Sequence, residues 1–208
     1  MPRPDADAFL FLAPGFLHQL GNLLLTIHGT ALTIDGDNLE HSRRVMLNTN
    51  DRGSASVFLL RALLGEPVLA SAAASDLVEQ IAELCRVPLR ERGLGFELRR
   101  PLPADLRVDY LAFVCCCVEA VRLLAAVVPG GQGGGIEVAL QARGRAAELG
   151  VRYRPSLGAL PFPVPIEEVA QRLTSRIAGL NACCRPRADG SGLELRLDPA
   201  PAVRGAEA

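Results

Sequence analysis

The sequence predicts an α+β fold: an antiparallel helical hairpin over residues 9–65, then an α/β sandwich over residues 75–198. Three observations predict it. Apolar residues at Leu17, Leu20, Leu24, Ile27, Ala31 and Ile34 recur in steps of three and four, the seam of a helical bundle. Beyond residue 75 the period switches repeatedly between helix and strand. Turn residues such as Asp35-Gly36-Asp37-Asn38 and Asp189-Gly190-Ser191-Gly192 punctuate the segments.

Each element has its own signal. The first helix is expected to become regular at Pro14, since proline suits a first turn. The turn at residues 35–38 leads to a second helix closing on Val57, Leu60, Leu63 and Leu64, with Gly65 as its stop. Two such helices cannot bury both apolar faces alone, so a four-helix bundle formed by a homodimer is expected. Residues 66–75 read as a linker, and Ser75 as the cap of a helix running to about residue 92. Residues 94–98 have strand character, ended by Pro101-Leu102-Pro103. A long apolar helix is expected over residues 107–128, followed by a glycine-rich turn. Residues 136–142 and 148–154 read as a hairpin. A proline-rich loop (155–165), a helix (166–180) and a last hairpin ending at residues 193–197 complete an α/β sandwich with helices on one face.

Composition narrows the function. The 22 basic residues, against 23 acidic, are all arginine. The absence of lysine excludes P-loop, pyridoxal and protein-kinase chemistry, each of which needs an amine. No tryptophan and a net charge of −1 argue against a nucleic-acid partner. No run approaches the roughly 18 consecutive apolar residues of a membrane span, and the N-terminus lacks a signal-peptide pattern, so a cytoplasmic protein with no membrane partner is expected. The cysteines (85, 115–117, 183 and 184) do not have zinc-ligand spacing, and most are expected to be buried as small hydrophobes.

Of the three histidines, His18 lies one residue past the seam position Leu17, with Asn22 and Thr26 continuing its polar strip and Gln19 nearby. A neutral imidazole is a competent nucleophile near neutral pH. On spacing alone, a surface histidine without a task is the commoner outcome. The string over residues 16–29 resembles the H-box of sensor histidine kinases, with His18, Leu20, Asn22, Leu24, Ile27 and Gly29 fitting. The resemblance implies that His18 is a phosphoacceptor and that residues 38–65 complete the dimerisation and phosphotransfer hairpin. It also implies that residues 75–198 correspond to the ATP-binding body. Asn22 stands where that family orients water for receiver dephosphorylation, and capping of the helix face is an equal alternative.

The resemblance breaks at four places. Glu119 is retained on the long helix, but Leu123 replaces the magnesium-binding asparagine, and an aliphatic chain cannot ligate a hard cation. Residues 151–161 contain no acid where the family binds adenine. Ile166-Glu167-Glu168 replaces a phosphate-cradling Gly-x-Gly turn. Gln19 replaces the acid after the histidine, and loss of a general base typically costs about 10²–10⁴ in rate. The glycine run at 130–135 follows a helix rather than opening one, so it does not read as a phosphate loop.

The sequence is therefore expected to encode a histidine phosphotransferase, or pseudo-histidine-kinase, rather than an ATP-dependent kinase. It would relay phosphoryl groups between the aspartates of response-regulator receiver domains through His18, with Asn22 and Gln19 in support. It would need no cofactor of its own, because the receiver supplies Mg2+. The alternative is a non-catalytic dimeric adaptor that binds and regulates a response regulator or kinase. A third possibility is a receiver phosphatase acting through Asn22.

Overall fold

A computed structural model describes residues 6–66, 70–103, 106–128, 133–156 and 165–199. The elements are α1 (Ala6–Thr33), α2 (Leu39–Leu63), β1 (Ser71–Ala73), α3 (Ala74–Glu91), β2 (Gly95–Arg99), β3 (Arg107–Asp109), α4 (Tyr110–Val127), β4 (Gly135–Arg143), β5 (Ala146–Arg154), α5 (Ile166–Arg176), β6 (Ala182–Pro186) and β7 (Gly192–Leu197). The fold is α+β, a helical hairpin followed by an α/β body.

α1 begins at Ala6 and carries Pro14 inside it, earlier than the proline suggests. Tertiary burial holds the early turns: Ala8, Phe11, Leu12 and Gly15 are enclosed in the common core. A Cβ at position 15 would run into the Leu84 carbonyl of α3, so only glycine permits this approach. Arg92 stacks over the Phe11 ring at 5.1 Å, and Asp7 pairs with Arg176 of α5 at 2.8 Å.

The interhelical turn is tied by its side chains. Asp35 Oδ1 accepts from the backbone N–H groups of Asp37 and Asn38, while Asn38 Nδ2 donates to the Thr33 carbonyl at 2.8 Å. On α2, Ser42, Thr49, Ser56 and Leu63 recur every seventh residue and are all buried. The hydroxyls of Ser42, Thr49 and Ser56 are satisfied by Asn38 Oδ1, the Val45 carbonyl and Gln19 Oε1 respectively. Gly53 faces Leu23 of α1. The Leu17–Ile34 seam is not buried within the chain: Leu17 (66 % exposed), Leu24, Ile27 and Ile34 all remain accessible.

In the body, β2-β4-β5-β7-β6 form a five-stranded sheet. β2 and β4 are parallel, joined by a crossover through α4, and the remaining pairs are antiparallel. Ile136, Val138, Leu149, Val151, Leu193 and Leu195 alternate onto the helix-covered face, where they meet Phe113, Val121 and Leu124 of α4 in one core. The expected linker at 66–75 contains β1, which pairs antiparallel with β3, so Arg107 to Asp109 are extended rather than helical. Asp109 caps α4 by accepting from the Ala112 N–H at 2.8 Å. Ser75 does not cap α3; the N-cap is Ala73, and the Ser75 hydroxyl bonds Asp76 instead. α5 stops at Arg176, short of the expected residue 180, with Gly179 taking a left-handed φ of 89° just beyond. The glycine-rich turn at 129–132 and most of the proline-rich loop, 157–164, lie outside the described residues.

By length and average composition alone, α1 and α4 are each long and apolar enough to cross a membrane, although neither is an uninterrupted apolar run. α4 is largely enclosed by the body, whereas most of α1 is accessible.

Candidate functional site

His18 projects from the exposed side of α1. Asn22, one turn on, places its Nδ2 3.2 Å from His18 Nε2. An amide N–H can only donate, so the pair is a hydrogen bond in the neutral tautomer that carries its ring proton on Nδ1. The Thr26 hydroxyl donates back to the Asn22 backbone carbonyl at 2.9 Å. The polar strip His18, Asn22, Thr26 runs along one side of the helix surface.

The next residue points the other way. Gln19 Oε1 accepts from the Ser56 hydroxyl of α2 at 2.9 Å, and Gln19 Nε2 donates to Glu83 of α3 at 3.3 Å. Arg52 of α2 closes the node, donating to both Glu83 oxygens at 3.1 and 2.9 Å. Three helices meet at one glutamine, which needs both an acceptor and a donor here. A glutamate at 19 would lose the donor and oppose Glu83. The position read from the sequence as a lost base is a polar tether that sets the roll of α1 beside His18. Ser56, Arg52 and Glu83 were not singled out for this role by sequence reasoning, because no local pattern announces a contact between residues so far apart.

The remaining histidines stand apart. His28 is exposed further along α1, and His41 on α2 lies 3.4 Å from Arg44 Nη2.

The positions that the resemblance relates to nucleotide binding are occupied differently. Glu119 is 2 % exposed, held bidentately by Arg122 at 2.8 and 2.9 Å and reached by Arg176 Nε at 3.4 Å. Asp7 joins both arginines, so α1, α4 and α5 share one ionic cluster. The hydrogen bond from Arg176, helped by the charges of Arg122 and Arg176, holds the Asp7 carboxyl below its usual range. Leu123 is buried in the core, and Ile166, Val169 and Leu173 of α5 are buried with it. Glu167 and Glu168 occupy the first turn of α5. Tyr153 donates its hydroxyl to the Gly133 carbonyl at 2.8 Å.

Among the described residues no cluster of three or more His, Cys, Asp or Glu side chains is arranged for a metal ion. Cys85, Cys116 and Cys117 are buried, Cys115 and Cys184 half-buried, and Cys183 is exposed. Burial pushes the Cys117 thiol up to about 12 and Cys184 to about 11, far from the thiolate a nucleophile needs.

No protein-family model and no curated protein matches the chain. Solved structures do. A histidine kinase from Burkholderia phymatum STM815 is 18% identical, covering 95% of this chain and 97% of its own, with a TM-score of 0.49. The Acinetobacter baumannii histidine kinase AdeS is 9% identical, with 88% of this chain and 98% of its own covered and a TM-score of 0.45. A bacterial phosphotransferase is 15% identical over 91% of this chain and 95% of its own, with a TM-score of 0.36.

Proposed function

We propose that this chain is a histidine phosphotransferase of a two-component phosphorelay, passing a phosphoryl group between receiver aspartates through His18 without using ATP. The observation that carries the reading is the His18 geometry: an exposed imidazole with Nε2 3.2 Å from Asn22 Nδ2, on a helix pinned from behind through Gln19. In the transfer Nε2 attacks the phosphorus of an aspartyl phosphate. The P–O bond to that aspartate breaks, its electron pair returns to the carboxylate, and an N–P bond forms. Transfer to a second aspartate reverses these changes. Where the Asn22 amide donates to Nε2, that bond gives way before attack, because the same lone pair forms the N–P bond. Mg2+ would belong to the receiver, while this chain contributes the nucleophile and its positioning.

Two features support relay over kinase. Glu119 is committed to Arg122 and Arg176 rather than free to polarise water or bind a metal, and buried Leu123 offers no oxygen ligand. The carboxylates of Glu167 and Glu168 at the start of α5 would oppose a phosphate there. The working unit is a homodimer in which the exposed Leu17–Ile34 stripe packs against its copy in a four-helix bundle.

The test mixes purified protein with a phosphorylated receiver. Acid-labile label is expected on wild type and not on His18→Ala, and magnesium-ATP alone should label neither. Label that survives His18→Ala sinks the relay. Receiver binding without any transfer, unchanged in His18→Ala, would assign an adaptor instead.

A further inference from the structure

Among the described residues, the helices cover one face of the five-stranded sheet. Its other face forms a basin of about 480 Å³, within the roughly 300–1,000 Å³ of small-molecule sites. One row of the sheet crosses all five strands in register: Arg99, Ala139, Gly150, Glu194, Arg185. Its middle is low because Ala139 faces Gly150, and Arg187 Nη1 lies 3.6 Å from where a Cβ on Gly150 would sit.

The walls are charged with an excess of one sign. Six arginines and three glutamates line the basin, in a chain whose net charge is −1. Every glutamate is already engaged. Glu137 is held by Arg152 at 2.6 Å and Arg154 at 2.7 Å, Glu148 by Arg143 at 2.7 Å, and Glu194 by Arg185 and Arg187 at 2.8 and 3.5 Å. At the rim, Asp189 and Asp198 pair with Arg187 and Arg196. Arg99 has no ion-pair partner among the described residues. Arg185 and Arg196 are more than half exposed, and exposed ion pairs contribute little, so both can turn toward an incoming anion.

We infer that this basin binds a small organic polyanion bearing two or more phosphate or carboxylate groups. Guanidinium groups stand at both ends of the row; between them lie Ala139 and Gly150, without long side chains, and Glu194, which is paired with Arg185 and Arg187. This spacing suits a ligand with separated anionic groups, each taken by a planar fork of N–H donors. The site lies on the sheet, apart from the hairpin that carries His18, and does not depend on phosphotransfer.

Calorimetric titration of the full-length protein with pyrophosphate and with citrate, at low salt and without magnesium, tests the inference. Saturable binding that weakens with added salt is expected for at least one of them. Arg99→Ala should weaken it about tenfold, the loss of one charge-assisted hydrogen-bonding partner. Ala139→Leu, which fills the floor while keeping every charge, should abolish it, and His18→Ala should bind as wild type. Binding of pyrophosphate alone assigns a phosphate ligand, and of citrate alone a carboxylate. Absence of binding by both at millimolar concentration, or wild-type affinity in both Arg99→Ala and Ala139→Leu, overturns the site. Arg99 is an exposed edge residue, so its variant keeps the test sound if Ala139→Leu misfolds.

Discussion

Gln19 Nε2 donates to Glu83 Oε2 at 3.3 Å across 64 residues of chain, and this bond fastens the neighbour of His18 to the α/β body. The hairpin is therefore not an independent presenter of an imidazole. Its roll is set at a node where α1, α2 and α3 meet.

That node can be measured by a double-mutant cycle. Gln19→Ala and Glu83→Ala should show a coupling energy of about 1 kcal/mol in chemical denaturation. Gln19→Glu should slow transfer from a phosphorylated receiver, because two carboxylates then face each other, and Glu83→Gln should restore it by re-forming a donor–acceptor pair. Gln19→Glu with unchanged rate and stability would show that the node is idle.

Gly15 is where α1 touches α3 backbone to backbone. Gly15→Ala must displace one helix, at a cost of about 1–3 kcal/mol typical of overpacking. Gly21, with nothing within 4 Å of its Cβ position, provides the control. Gly21→Ala should be neutral or slightly stabilising through helix propensity.

Glu119 is a buried carboxylate shared by two guanidinium groups. Glu119→Gln removes its charge and leaves Arg122 and Arg176 under-compensated, which should destabilise by about 3 kcal/mol. Magnesium-ATP should not shift the melting temperature of the wild type. A saturable shift would mean that the ionic cluster opens to admit nucleotide.

Tyr110 carries a buried hydroxyl with no hydrogen-bond partner among the described residues, and burial raises it to about 12. Tyr110→Phe removes the orphaned group and should stabilise by about 1 kcal/mol. A loss of stability instead would reveal a partner for that oxygen.

The buried thiols set an alkaline limit. Cys117 is raised from an ordinary 9.0 to about 12 and Cys184 to about 11, and Cys85 and Cys116 are also raised, in each case chiefly by burial. The folded chain keeps these protons above pH 9, while the unfolded chain releases them. Their stabilising contribution is complete below the unfolded pKa and is lost as pH rises from about 9 toward 12. Each thiol contributes a slope of up to about 1.4 kcal/mol per pH unit. Urea midpoints at pH 7.5, 9 and 10 should fall in order, less steeply in Cys117→Ala.

Helix and strand identities were legible where the pattern was local and strong. The turn at 35–38, the stop at Gly65, the hairpin at Gly144 and the last hairpin all follow from turn chemistry and periodicity, which act over a few residues. The misreadings share one cause. Pro14 looked like a start, Ser75 like a cap and residues 66–75 like a linker, because each judgement used neighbours in sequence. α1 extends to Ala6 because Ala8, Phe11 and Leu12 find a core built by α3 and α4. β1 forms because β3 lies alongside it.

The candidate site divides in the same way. The sequence by itself determined that His18, Gln19 and Asn22 sit together on one helix, and that Glu119 and Leu123 occupy one turn of another, since helical spacing requires it. It also determined that an apolar stripe from Leu17 to Ile34 would need covering. Only the tertiary structure decided that Gln19 faces inward to Ser56 and Glu83, that Glu119 is neutralised by Arg122 and Arg176, and that six arginines share one basin. Each of these depends on side chains brought together by packing of distant segments. A hydrogen bond or ion pair reaches about 3 Å, and sequence spacing says nothing at that range about residues on separate elements.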